Sequence, residues 1–408
     1  MSAPSARTHS FVIMLGLMTA VAALTVDLSL PAVPSMVEAL ATNLSVGQLI
    51  VGVFMAGMAL GQIPAGLVSD RIGRLPVLYV GMSLFAAAAM VAAVATNIEL
   101  LLAARLVQGF GAAAAVVLSR AIVRDIATGK EAARLMSLMT MIFTAAPVIA
   151  PSFGALLVSQ WGWRAPFIVI AIGGLAIIGG IRASLTETHT PRNNGHPLQQ
   201  LLSSFAEFFS HRQSIFGLLL IILPPAGFMS VITVSAALAV EIYGYSLRAF
   251  GLIFACAGLS ILAGSFVNRM AVAKFDLMHL ISLGAGLIGL CAIQLLIIVA
   301  LDHAPLWWLW GCVCLFMFSI GILLPNAMVL ALDPLPRIAG VASSIIGTIQ
   351  NIFGAAGAIG GAMLYNGSVR NTVIIMASVG VVTVVILLLR PLIVPGPIYH
   401  HPDELARD

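Results

Sequence analysis

The chain has 408 residues, of which 61% are hydrophobic and only 8% charged, against about 25% charged in ordinary soluble domains. No water-soluble core absorbs that much apolar sequence, so the composition excludes a soluble globular protein and points to an integral membrane protein. The pI near 9.1 would suit a nucleic-acid binder in a soluble chain. Here it reads as loop lysines and arginines following the positive-inside rule.

Arg7 precedes an apolar stretch from Phe11 that exceeds the roughly 7–15 residues of a signal-peptide core, so 11–33 is read as the first span and as retained. Inside it, LTVDLSLP (24–31) carries Asp27 among hydrocarbon neighbours. A carboxylate near the bilayer centre costs about 2.5–3.5 kcal/mol on insertion scales, which makes Asp27 a functional candidate. Further runs long enough to cross about 30 Å of hydrocarbon fall at 47–68, 76–96, 98–119, 133–158, 164–184, 214–240, 247–267, 278–301, 306–331, 338–364 and 371–392. They are predicted to be helices, because backbone groups in lipid must bond within their own segment. The short alternating segments of a barrel are absent.

The fold class is therefore an all-α integral membrane protein with 12 transmembrane helices. The connection 185–213 divides it into bundles of residues 1–184 and 214–392, with a tail at 393–408. Its first part, THTPRNNGHP, is turn-rich. Its second part, LQQLLSSFAEFFSHR, repeats apolar residues at helical spacing and predicts an amphipathic helix on the membrane surface. Of the 19 Lys and Arg residues, Arg164, Arg248 and Arg370 fall on one side and Arg105 lies inside a span, which leaves fifteen on the other side. That asymmetry places both termini in the cytoplasm.

The two bundles echo each other. Gly66-LVS-Asp70-Arg71 follows span 2 and Gly264-SFV-Asn268-Arg269 follows span 8, the same topological position in each half. Repeated halves are a transporter signature, with the substrate site expected between them.

Asp27 and Arg105 are the only acid and base well inside any span. At about 1.5 Å per residue, Asp27 lies about 24 Å along span 1 and Arg105 about 10 Å in from the opposite face. The two depths therefore agree. Either they form a static pair that fixes helix packing, or Asp27 carries a proton while Arg105 biases its charge and senses occupancy. The second reading fits the usual meaning of ionisable residues inside membranes. Gln108 lies three residues beyond Arg105, on roughly the same face. The candidate cavity residues are Leu24, Gln108, Ala112, Met229 and Asn326. Asn326, Gln350 and Asn351 also fit interhelical hydrogen bonding.

Other features are absorbed by packing. Cys256, Cys291, Cys312 and Cys314 all fall in predicted spans and form no C-x-x-C pair. Eighteen methionines invite a soft-metal reading. No histidine lies well within a span, however, and methionine is a routine packing residue. No cofactor, metal or nucleic acid is expected, and the chain is expected to be monomeric.

These residues resemble the major facilitator superfamily over the whole chain. GLVSDRIGRLPVL (66–78) is similar to its loop 2–3 motif, RLVQGFGAA (105–113) to its span 4 motif, and APVIAPSFGALL (146–157) to its span 5 antiporter motif. LSLPAVPSM (28–36), VEIYGYSLRAFGLIFA (240–255) and GILLPNAMVLALDPLPRIAGVASSIIGTIQ (321–350) resemble the bicyclomycin- and chloramphenicol-resistance (Bcr/CflA-like) drug:proton antiporters. There are two departures. Pro76 stands near a position that is often basic, and T-V-D-L-S-L-P replaces the usual T-D-x-Y-L-P.

The resemblance implies two pseudo-symmetric six-helix bundles, with spans 1, 4, 7 and 10 lining the cavity. It implies a latch in which Asp70 and Arg74 pair with Asp125, within a cluster of Gly66, Arg71, Gly73 and Arg120. It also implies a gating contact at Pro147, Pro151 and Gly154. Glycines 66 and 73 are read as allowing close helix approach and a tight turn. The function implied is proton-driven export of small amphipathic or lipophilic compounds. A proton-coupled exporter or importer of one metabolite or sugar is the alternative. A membrane enzyme or scaffold fits less well, because no cluster of acids, histidines or nucleophiles shares one depth.

Overall fold

The computed structural model describes residues 9–127, 129–188, 197–272, 274–301, 303–335 and 338–395. Those residues are helical apart from short connections. The chain runs α1 (His9–Ser29), a 3₁₀ turn (Leu30–Ala32), α2 (Val33–Ala39), α3 (Leu44–Ile72), α4 (Arg74–Ala93), α5 (Ile98–Ile126), α6 (Gly129–Trp161) and α7 (Ala165–Ser184). It continues through α8 (Pro197–Ser210), α9 (Arg212–Ala237), a π turn (Leu238–Ile242), α10 (Leu247–Ala271), α11 (Leu277–Leu301), α12 (Leu306–Leu332), α13 (Ala339–Leu364), α14 (Val369–Leu388) and the short α15 (Arg390–Ile393).

Eleven of the described stretches are long and apolar enough to cross a membrane, the first being Phe11–Ala39 with its 3₁₀ turn. The twelfth crossing is α6, whose described apolar part is Ala145–Trp161. Every predicted span has its helix. The predicted ends are short by several residues at α3 and α5, which carry on past their apolar windows into Asp70–Ile72 and Arg120–Ile126. The turn-rich stretch 189–196 and the tail beyond 395 lie outside the described residues. The amphipathic segment forms α8, with Phe208 and Ser204 buried and Leu202 and Phe209 exposed.

The chain divides into two compact units, residues 1–194 with 235–258, and residues 195–234 with 259–408. In the first unit α5 packs on α3 and α4, α1 on α6, and α4 on α7. In the second, α11 packs on α12 and α14. Spans 3, 4 and 6 thus repeat as spans 9, 10 and 12. The N-terminal part of α10 belongs to the first unit and meets α6, where Ser152 Oγ donates to the Gly251 carbonyl at 2.9 Å and Gly258 sits against Pro147 and Val148 backbone.

The cap chemistry is local. Asn43 and Asn97 each accept a backbone N–H three residues on, at 2.9 and 2.8 Å, and so start α3 and α5. α1 stops at Ser29 because Pro31 has no N–H to return to the Asp27 carbonyl four residues earlier. Asp27 therefore sits in the last turn of a broken helix.

Candidate functional site

Two contacts set α1 against α5 in antiparallel register. Thr19 Oγ1 and Ser119 Oγ lie 3.0 Å apart, and Arg105 Nη2 reaches Ser29 Oγ at 3.5 Å. α5 in turn lies tight on α3. A Cβ on Gly109 would meet Phe54 backbone at 2.9 Å, so only glycine allows that approach. This seats Arg105, fully buried, beside α3. Its Nε donates to the Ile50 carbonyl at 3.1 Å and its Nη1 to Gln108 Oε1 at 2.8 Å. The guanidinium carbon stands 4.5 Å from the Phe54 ring centroid and 5.9 Å from that of Phe167.

The static Asp27–Arg105 pair, one of the two readings of their shared depth, is not formed among the described residues. Arg105 reaches Ser29, two residues beyond Asp27, and residues two apart on a helix do not face each other. The guanidinium spends its donors on Ile50, Gln108 and Ser29. Asp27 is 6% exposed, and among the described residues it makes no hydrogen bond or ion pair. Matching depth fixes height along the bilayer normal but not which way a side chain turns. Ser29 Oγ also donates to the Val26 carbonyl at 2.9 Å, so it holds the break in α1 while accepting from Arg105.

Gly154 locks α6 to the same turn. A Cβ there would meet the Leu28 carbonyl carbon at 3.1 Å and Leu28 Cα at 3.2 Å, so α6 touches the backbone of the residue after Asp27. Pro147 and Pro151 lie inside a continuous α6, on the stretch that meets α10.

The candidate cavity residues divide. Leu24 lines an apolar cleft of about 330 Å³ in the first unit, with Met14, Leu17, Phe85, Ile149 and Phe153. Gln108 is buried and held by Arg105 through Oε1, while its Nε2 has no partner among the described residues. Ala112 is fully buried and Met229 half-buried. Asn326 donates to Asn268 Oδ1 at 2.6 Å and to the Ile322 carbonyl at 2.7 Å, tying α12 to α10. Asn351 bonds its own helix at Gly347 rather than a neighbour. Gln48, not among the predicted site residues, is a fully buried amide on α3 with neither polar atom bonded among the described residues. A glutamine among apolar residues in the first two turns of α3 is the signal that the sequence carries for it.

At the other end of the first unit, Arg74 is the hub of a charge cluster that joins the residues expected to form the latch. Its Nε donates to Asp125 Oδ2 at 2.9 Å, its Nη2 to Asp125 Oδ1 at 3.4 Å and its Nη1 to Ser69 Oγ at 2.8 Å, and Nη1 also pairs with Asp70. Arg71 and Arg120 make no hydrogen bond or ion pair among the described residues, so they stand outside the network. Gly73 is required, since its φ of +101° is a left-handed conformation. Gly66 does not provide a close approach: a Cβ there would meet Val117 at an ordinary 3.9 Å. Glu187 and Thr188 join the cluster without any local signal in the sequence. Glu187 accepts the backbone N–H groups of Arg74 and Leu75 at 2.9 and 3.0 Å, and Thr188 Oγ1 donates to Asp125 Oδ2 at 3.1 Å.

Residues 15–358 match the family described as Major Facilitator Superfamily. The chain belongs to the Major Facilitator Superfamily. It is 31% identical over 353 residues to the uncharacterized MFS-type transporter YdgK of Bacillus subtilis, covering 84% of this chain and 86% of that one. It is 28% identical to the bicyclomycin resistance protein homolog of Haemophilus influenzae, covering 85% and 87%. It is also 28% identical to multidrug resistance protein D of Escherichia coli, covering 85% and 86%. Among solved structures, a D-xylose-proton symporter superposes with a TM-score of 0.73 at 17% identity, covering 93% of this chain and 97% of that one. A bacterial homologue of the lysosomal transporter Spinster gives 0.72 at 15%, covering 96% and 97%. At those identities the superpositions establish the fold. The protein is a multi-pass membrane transporter of twelve helices in two bundles.

Proposed function

We propose that this transporter exports small amphipathic or lipophilic compounds, drugs among them, in exchange for protons. The observation that carries the reading is Asp27: a carboxyl group buried in the last turn of a broken span, with no described partner and one residue from the Gly154 contact. A lone buried carboxylate is costly, and proton uptake removes its charge without moving any other group. Arg105, held by three acceptors and two rings, is a fixed cation that reaches the same end of α1 through Ser29. Gln108 Nε2, without a partner among the described residues, offers a donor to a polar cargo atom, and the apolar cleft lined by Leu24 suits a lipophilic body. The relatives named for multidrug and bicyclomycin resistance support the same cargo class.

In the proposed cycle, the outward-facing protein takes a proton on Asp27 and releases cargo. It then rocks inward between the two six-span halves, 1–184 and 214–392, loses the proton and binds the next molecule. A potential of 100 mV supplies about 2.3 kcal/mol per charge moved, enough to drive useful accumulation. The charge asymmetry of the loops supports an orientation with both termini in the cytoplasm, and the bacterial relatives support a bacterial cytoplasmic membrane. The Asp70–Arg74–Asp125 latch then lies on the cytoplasmic side and stabilises one end state.

The test is drug accumulation in an efflux-deficient bacterium with and without a protonophore, using amphenicols, bicyclomycin, ethidium and quaternary ammoniums. Lowered accumulation that the protonophore abolishes is the expected result. Unchanged accumulation across the panel defeats the drug-export reading.

A further inference from the structure

The latch has a component from a distant part of the chain. α4 begins at Arg74 immediately after Gly73, which has no side chain with which to cap the first N–H groups of the helix. The cap arrives instead from residues 185–188, which follow α7. One oxygen of the Glu187 carboxylate accepts the Arg74 N–H at 2.9 Å and the other accepts the Leu75 N–H at 3.0 Å. The helix dipole favours a carboxylate at that end.

Gly73 makes this fit possible. A Cβ on it would stand 2.6 Å from Glu187 Oε2 and 2.9 Å from its carboxyl carbon. The next residue, Thr188, donates to Asp125 Oδ2 at 3.1 Å, the same oxygen that Arg74 Nε reaches at 2.9 Å. Two successive residues therefore grip both halves of the Arg74–Asp125 pair, one through the Arg74 backbone and one through the Asp125 carboxylate.

We propose that Glu187 is a positioning residue of the transport cycle, which holds the first turn of α4 so that the Arg74 guanidinium stays closed on Asp125, with Thr188 as its second contact. The proposal rests on the transporter reading and not on any particular cargo. When the latch opens, the segment after α7 must let go of α4. The start of the connection between the two halves therefore takes part in the same step as the charge pair.

The test reads the opening of the latch directly and needs no cargo. Ser69 is fully buried and accepts from Arg74 Nη1, so Ser69→Cys places a thiol that a maleimide reaches only when the latch opens. Cys256, Cys312 and Cys314 are replaced by Ala, and the buried Cys291 is kept as an internal control for general loosening. In purified full-length protein, Glu187→Ala should speed labelling at position 69 about fivefold, as the loss of a helix cap predicts. Glu187→Gln, which keeps one acceptor oxygen, should do so by less. Cys291 should label at its former rate, and Glu187→Ala should add nothing when Arg74→Ala is already present.

An unchanged rate in Glu187→Ala would overturn the proposal, as would equal acceleration at Cys291 or a full further effect on top of Arg74→Ala. Should Glu187→Ala fail to fold, Glu187→Gln and Thr188→Val decide it by the same readout. A negative drug panel would leave these outcomes standing, so the two readings fail separately.

Discussion

Replacing Arg105 by Lys keeps a buried charge and removes the planar fork that holds it. The guanidinium reaches the Ile50 carbonyl at 3.1 Å, Gln108 Oε1 at 2.8 Å and Ser29 Oγ at 3.5 Å, and lies 4.5 Å from the Phe54 ring centroid. An ammonium on a flexible stem cannot satisfy acceptors on three separate segments at once, so about two of the three bonds are lost. Hydrogen bonds between membrane helices average about 0.6 kcal/mol and reach about 1.7, which makes that loss about 1–3.5 kcal/mol. Weaker attraction to the ring adds about 0.5–1 kcal/mol. Arg105→Lys should therefore lower the unfolding free energy by about 2–4 kcal/mol in a detergent titration. It should also impair transport more than its surviving charge would suggest. Stability and transport both at wild-type levels would refute the view that fixed geometry, rather than charge alone, is what Arg105 contributes.

Three further outcomes follow from the packing and the latch. Gly154→Val drives a branched side chain into Leu28 backbone, at an overpacking cost of about 1–3 kcal/mol. Vesicle transport should fall sharply in that variant and less in Gly154→Ala. Asp125→Asn removes one of the two carboxylates that the Arg74 guanidinium contacts among the described residues, and thermal unfolding of the purified protein should show a loss of about 1–3 kcal/mol, below the range for fully buried pairs because this site meets solvent. Asn326→Leu breaks the Asn268 contact and should lower stability by about 0.6–1.7 kcal/mol while transport survives. Loss of transport in stably folded Asn326→Leu would return Asn326 to the cargo site.

The twelve helices were legible because the membrane imposes its thickness on the sequence, and a run of about twenty apolar residues has few other uses. Helix ends were less legible. α3 and α5 continue into charged residues, where hydropathy falls but backbone bonding does not. Asp70, Arg74 and Asp125 could be grouped by motif, since two of them lie four residues apart at a turn. Their link to Glu187 spans more than a hundred residues and leaves no local trace in the sequence. Depth along a span could be counted, which brought Asp27 and Arg105 to one level. Rotation could not, because it depends on Gly109 and Phe54 drawing α5 onto α3. For the same reason Gly66, read as a close-approach glycine, proves to have room around it, whereas Gly154 does not.

Asp27→Asn tests the central claim most directly. The wild-type protein and the variant would be reconstituted in vesicles with a compound that the wild type transports. Protons released on cargo addition and cargo flux under an imposed pH gradient would be recorded together. The account predicts that Asp27→Asn still folds and binds cargo, releases no proton and ignores the gradient. Proton release and gradient-driven flux at wild-type levels in Asp27→Asn would contradict it and place the proton on another residue.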